Sequence, residues 1–263
     1  MERIKQALEK ARQERQAHQG TAAPSAEPSA AAPDSPGQTV TQQVAVDSKA
    51  LRDNKIIASL EPNAFTDAYN LLRTQVLQRC KENSWNTLAV TSTGEHEGKT
   101  LTAINLAISI AREIDHTVLL VDANMRHPWM LEHLGIAHRK GLSDYLTGDV
   151  SLGELLIRPE NIEHLVILPG GQPLTNSAEM LNSPKMGQLV GEMKARYPDR
   201  VIIFDLPPVL GYSDALAFAP HVDAALLVVS EGITQKQDIK KAVDLLSVTN
   251  IVGTVLNMAE AGR

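Results

Sequence analysis

One stretch, Thr91-Ser-Thr-Gly-Glu-His-Glu-Gly-Lys-Thr100, constrains this chain more than any other. An apolar run, Thr87 to Val90, leads into it, and Leu101, Ile104, Ile108 and Ala111 recur at helical spacing after it. Strand, glycine loop and helix in that order are the context a phosphate-binding loop needs, the bland alternative being a glycine-rich strand-to-helix turn. In such a loop, backbone N–H groups turn inward and the helix N-terminus adds partial positive charge. Gly98 would permit close backbone approach, Lys99 would reach the β- and γ-phosphates, and the Thr100 hydroxyl would hold Mg²⁺. Gly94, Glu95, His96, Glu97 and Leu101 complete the candidate nucleotide-binding set. The general pattern has glycine five residues before Gly98, where this chain has Thr93.

Around that loop, apolar β-branched runs alternate with helical patterns. The runs are Thr117–Ala123, His164–Pro169, Val201–Asp205, Ala224–Ser230 and Ile251–Asn257, and a helix is expected over 61–80, started near Asn63. Phe65, Tyr69, Leu72, Val76 and Leu77 form its inward face. Such alternation predicts a doubly wound, mainly parallel α/β sheet of about six strands, helices on both faces and ligands beyond the C-terminal strand ends. Two strands end in carboxylates, Asp122 and Asp205, on the edge that carries the loop. One carboxylate beside Mg²⁺ can hold the ion, and a second can accept a proton from an attacking hydroxyl. The bland alternative for either aspartate is a helix cap.

With 263 residues and a net charge of −6, the chain can bury a sizeable core but offers no broad nucleic-acid or anionic-membrane footprint. A single cysteine, Cys80, excludes an internal disulfide and fits a reducing compartment. No apolar run approaches a membrane span, so a soluble, cytoplasmic protein is expected. Residues 1–19 read as a short amphipathic helix, with Ile4, Leu8 and Ala11 on one narrow face. Residues 20–50, rich in Ala, Pro and Ser, read as a disordered linker, and 51–263 as the folded domain. Removing residues 1–47 is therefore expected to leave domain stability nearly unchanged. His127, His133 and His138 have no helix-face spacing that suits a metal and read as surface or capping residues.

The chain resembles the bacterial tyrosine kinases of capsule and exopolysaccharide systems, particularly the separate-chain kinases linked to exosortase loci. That family's loop also lacks the first glycine. Its second motif, hydrophobic-Asp-x-Asp-x-Arg-x-Pro, is matched by Asp122, Arg126 and Pro128, with Asn124 in place of the second aspartate. Its third, hydrophobic-Asp-Thr-Pro-Pro, is matched by Asp205, Pro207 and Pro208, with Leu206 departing. Similarity continues in Gly141–Asp149, Leu168–Leu181 and Gly253–Asn257.

The resemblance implies an ATP- and Mg²⁺-dependent protein tyrosine kinase that phosphorylates a partner protein in exopolysaccharide export. Lys99, Asp122 and Asp205 would be catalytic; Thr100, Asp122 and Asp205 would be metal-binding, with Asp122 a ligand or the base. By the same resemblance, Asn257 would read the adenine. An integral-membrane chain-length determinant would activate the protein and recruit it to the inner membrane. The family's oligomerisation frame, Glu-x-x-Arg-x-x-Arg, falls on Asp67, Asn70 and Arg73, so homo-oligomerisation rests on the last residue alone. Family members usually end in a tyrosine cluster, whereas no tyrosine follows Tyr212 here. Little autophosphorylation is accordingly expected, with Tyr69 and Tyr145 packed in the core, Tyr197 on the surface and Tyr212 near the active edge. Two further readings are a non-catalytic ATP-binding switch, favoured by Asn124, and a positioning ATPase, disfavoured because its signature lysine position holds Gly94.

Overall fold

The apolar runs are strands. The computed structural model describes residues 41–196 and 199–259, and its strands are β1 (Gln42–Val44), β2 (Thr87–Ser92), β3 (Thr117–Asp122), β4 (Ile157–Pro159), β5 (Leu165–Leu168), β6 (Arg200–Asp205), β7 (Ala224–Ser230) and β8 (Asn250–Asn257). They form one sheet in the order β1-β4-β5-β3-β6-β2-β7-β8. All pairings are parallel except β4 with β5. This is the phosphate-loop α/β architecture expected from the sequence, with two more strands than the six counted there.

Strand alternation divides the core between the two faces of the sheet. Leu88, Val90, Leu120, Ile203 and Leu226 pack on one side with residues of the helices Ala64–Asn83 and Lys99–Ala111. Ala89, Leu119, Val121, Phe204 and Leu227 pack on the other with Met186, Leu189, Phe218 and Ala242. Because both faces are covered, β2 and β7 are buried along their whole length, which explains the continuous apolar runs Leu88–Val90 and Ala224–Val229. Leu206 lies in the second core at 1% exposure, so the departure from threonine in the third motif fills apolar space.

The helix Ala64–Asn83 starts where the sequence placed it. Asn63 and Thr66 form a reciprocal capping box, and left-handed Ser84 stops the helix. Tyr69 and Val76 are buried, with Phe65, Leu72 and Leu77 partly buried against the same core. Arg73 is engaged within the chain: its Nη1 donates to Ser109 O at 3.0 Å, and its Nε forms an ion pair at 2.8 Å with Glu113, without the alignment of a hydrogen bond.

The expected boundary at residue 51 needs correction. Residues 42–44 pair with β4 in the register Gln42↔Ile157 to Val44↔Pro159, and Glu160 N–H donates to Val44 O at 2.8 Å. Val44 and Leu51 are buried, and Ile56 and Ile57 are fully enclosed. The helix Ser48–Asp53 is capped by the Asp47 carboxylate, which accepts from Lys49 N–H at 2.8 Å. Backbone pairing at a sheet edge needs little apolar content, so a three-residue strand with one buried valine left no compositional trace. The expected helix over 1–19, the linker through residue 40 and Tyr197 lie outside the described residues.

Deletion through Asp47 is therefore expected to lower Tm relative to deletion through Val40. Loss of the β1 pairing and of Val44 burial costs about 2 kcal/mol. For a domain of this size that corresponds to roughly 5 °C by calorimetry; equal melting temperatures would show that β1 adds nothing.

Candidate active site

Three strand ends meet at the loop. In the register of the sheet, Asp205 on β6 stands beside Val90 of β2 and beside Asp122 of β3. Leu206 N–H donates to Val90 O and Val209 N–H to Ser92 O, each at 2.9 Å, so the chain after β6 is tied to the loop's entry strand. Thr100, in the first turn of the following helix, donates its hydroxyl to Asp205 Oδ2 at 2.6 Å.

The loop is also held from within. Glu97 is 3% exposed and turns its carboxylate inward, accepting from the Thr93 hydroxyl at 2.6 Å, from Gly94 N–H at 2.9 Å and from the Thr234 hydroxyl. Thr93, which stands where the general pattern has glycine, thus provides a hydroxyl that anchors Glu97. Gly98 has φ +86°, and a Cβ there would come within 2.0 Å of Asn257 Nδ2. Asn257 itself donates to Glu97 O at 2.9 Å, placing its side chain on the loop backbone.

The two aspartates are buried at 1% exposure each. Burial, then the charge of Asp205, pushes Asp122 well above the usual carboxylate range, against backbone N–H groups of Met130 and Asn124 and the charge of Lys99. Burial also raises Asp205, while Lys99, the Thr100 hydroxyl and His133 draw it back. Two buried oxygens, Asp205 Oδ1 and Asn124 Oδ1, have no hydrogen-bond partner. Unpaired carboxylate and amide oxygens beside a threonine hydroxyl suit a hard cation that takes oxygen ligands. Among the described residues no cluster of three His, Cys, Asp or Glu could hold a metal alone.

A mouth of about 380 Å³ opens over Lys99 and Thr100 and brings together Glu95, His96, Leu101 and Asn124 with His127, Trp129, His133 and Tyr212. Arg126 buttresses one wall: its Nε donates to the buried Asp214 at 2.9 Å, its Nη1 donates to Thr175 O at 3.2 Å, and its guanidinium lies 4.9 Å from the Tyr212 ring centroid. The Tyr212 hydroxyl donates to Glu95 Oε1 at 2.7 Å, and this bond raises its pKa. The two other similar segments converge beneath it. Leu142 N–H donates to Pro169 O at 2.7 Å, and a Cβ at Gly170 would come within 2.6 Å of Pro128 and 3.1 Å of the Asp122 carboxyl carbon.

The structure therefore brings together the loop residues, Asp122 and Asp205, with Asn257 against the loop's other side. His127 and His133 lie at the mouth, while His138 pairs with Gln172 at 3.0 Å. The sequence reading missed the roles of Asp214, Trp129 and the inward-facing Glu97; Arg126, as a motif residue, was the one available signal for the first.

Two outcomes follow from the geometry. Glu97→Ala leaves the Thr93 hydroxyl and Gly94 N–H unpaired, and it is expected to weaken binding of a fluorescent ADP analogue about tenfold. Unchanged affinity in a folded variant would remove Glu97 from loop positioning. A carboxyl raised by burial keeps its proton in the fold at pH values where the unfolded chain has released it. Its contribution thus lowers stability as pH rises from about 4 toward the folded-state pKa. Without Mg²⁺, Asp122→Asn should flatten that decline and raise Tm at pH 7 by roughly 3 °C or more, read by thermal melts across pH.

No family model matches the chain. The tyrosine-protein kinase YwqD of Bacillus subtilis is 32% identical over 218 residues, covering 79% of this chain and 90% of that protein. The tyrosine-protein kinase CpsD of Streptococcus pneumoniae serotype 4 is 33% identical over 192 residues, covering 72% and 82%. Among solved structures, the kinase domain of the Escherichia coli tyrosine kinase ETK superposes with a TM-score of 0.67 at 27% identity, covering 75% of this chain and 78% of that one. By fold, motif and kinship, the chain belongs to the family of bacterial tyrosine-protein kinases.

Proposed function

We propose that this chain transfers the γ-phosphoryl group of ATP to a tyrosine of a separate polypeptide, in the assembly or export of an exopolysaccharide. The observation that carries the reading is that Lys99 and Thr100 line one pocket, with Thr100 bonded to Asp205 and Asp122 beside Asp205 in the sheet register.

Lys99 supplies a point charge for the β- and γ-phosphate oxygens. Thr100 and Asp205 would hold Mg²⁺, which would supply charge neutralisation at the phosphates. Asp122, at the end of the strand beside Asp205, is the proton acceptor in its ionised form. In the transfer, the bond from the γ-phosphorus to the β–γ bridging oxygen breaks, a bond to the phenolic oxygen forms, ADP leaves and the phenolic proton passes to Asp122. Nucleotide-loop backbone from Gly94 to Leu101 and the Asn257 side form the remaining ATP contacts.

The tyrosines suit an acceptor outside the folded core. Tyr69 is 6% exposed, and Tyr145 is partly covered beneath the Lys185 ammonium at 4.8 Å. Tyr212 is engaged by Glu95 and Arg126. An integral-membrane chain-length determinant is the proposed activator. That partner would recruit the chain to the inner membrane; among the described residues no helix is long and apolar enough to cross a membrane. One observation favours a second reading, an ATP-binding switch: Asn124 places a neutral amide where the family motif has a carboxylate.

Incubation with γ-labelled ATP, Mg²⁺ and a tyrosine-containing acceptor tests the proposal. Labelled phosphotyrosine that disappears in Lys99→Ala is expected, with a loss of at least about 100-fold; nucleotide binding without transfer would favour the switch. Asn124→Asp should raise turnover at limiting Mg²⁺ by adding a carboxylate near the ion. A turnover curve unmoved at every Mg²⁺ concentration would place Asn124 outside the metal's surroundings.

A further inference from the structure

Trp129 is 49% exposed, and among the described residues it is the exposed large hydrophobic that lines the pocket over Lys99 and Thr100. A large indole left in water at the rim of a cleft is characteristic of a surface that another chain covers. Its position is set by the backbone. Trp129 N–H donates to His127 O at 2.9 Å, and Trp129 O accepts from His133 N–H at 3.2 Å and from His133 Nδ1 at 2.9 Å. Pro128, immediately before it, is packed where Gly170 leaves no room for a Cβ. The indole has the tilted His127 ring beside it at 5.3 Å. Trp129 is thus an exposed ring on a fixed turn.

Sheet order decides which substrate such a ring can meet. Asn257 ends β8 and reaches the loop at Glu97, on the β7–β8 side of β2. Trp129 follows β3, on the other side of β2 beyond β6, and Asn257 does not line its pocket. Under the function proposed above, the nucleotide base takes the Asn257 side. The β3 side then faces the second substrate, whose reacting hydroxyl must arrive near Lys99, Thr100 and Asp122. A tyrosine side chain has the right chemistry for this place: an aromatic ring to lie against an indole and a hydroxyl at its far end.

We propose that Trp129 docks the acceptor, its indole receiving the aromatic ring of the tyrosine to be phosphorylated in a second polypeptide. This rests on the tyrosine-kinase reading and adds to it the surface that selects the acceptor.

The test compares wild type, Trp129→Ala and Trp129→Phe in the full chain, with a random copolymer of alanine, glutamate, lysine and tyrosine as probe. Three quantities are measured: copolymer binding by fluorescence anisotropy with ADP and Mg²⁺, copolymer KM in phosphotransfer, and affinity for a fluorescent ADP analogue. Trp129→Ala should weaken copolymer binding and raise its KM about tenfold, leave ADP affinity within about twofold, and be largely rescued by Trp129→Phe. Copolymer binding that is absent in wild type, or equal in wild type and Trp129→Ala, overturns the proposal. So does a matching loss of ADP affinity, which would put the indole at the nucleotide base. The binding arm separates this inference from the kinase reading. Copolymer held through Trp129 without phosphate transfer would keep the docking surface and remove the kinase reading. Undiminished transfer by Trp129→Ala would do the reverse.

Discussion

The active edge depends on the parallel pairing of β2, β6 and β3, which sets Asp205 opposite both Val90 and Asp122. Side chains in a strand alternate between faces, so a slip of one residue in either pairing would turn a carboxylate away from its neighbour. Buried apolar side chains on both faces resist such a slip. Leu120 and Ile203 belong to one core, Leu119 and Ile202 to the other, and a shifted register would exchange them. The same packing that stabilises the sheet therefore positions the chemistry at its end. The hydrogen bond from Thr100 to Asp205 then couples the register to the first turn of the helix after the phosphate loop.

Once assembled, the edge concentrates charge in a place that disfavours it. Asp122 and Asp205 are buried together and both are pushed toward the protonated form. Lys99 opposes the shift at both, which gives this ammonium a part in holding the resting site together. Such a site is less stable than an apolar one of the same shape. Rigidity around it comes from neutral or fully paired groups: Glu97 bonded on three sides, Arg126 on buried Asp214, and Pro128 against Gly170.

The motif segments that look separate along the chain are one structure at this edge. Gly141–Asp149 and Leu168–Leu181 meet through Leu142 and Pro169, and the second of them touches the turn that follows Asp122. That turn carries Arg126 to Asp214 and presents Trp129 at the mouth. The turn after β3 thus brings Arg126, Pro128 and Trp129 to one side of the loop, while Asn257 from β8 contacts the loop backbone on its opposite flank.

Residue pattern alone determined the sheet's central strands, the loop and its two carboxylates. These depend on local signals: continuous apolar runs, helical spacing after Gly98, and aspartates where runs end. The Asn63 cap was legible for the same reason, since its partner Thr66 lies within one helical turn. Other features depended on residues distant in sequence. β1 escaped notice because edge pairing is a backbone interaction, satisfied by Gln42-Gln43-Val44 against β4 more than a hundred residues away. The inward turn of Glu97 needed Thr234, the anchoring of Arg126 needed Asp214, and Trp129 became a wall of the site through its turn after β3. A side chain's direction in a loop is chosen by whatever reaches it across space, so only the tertiary structure could decide it.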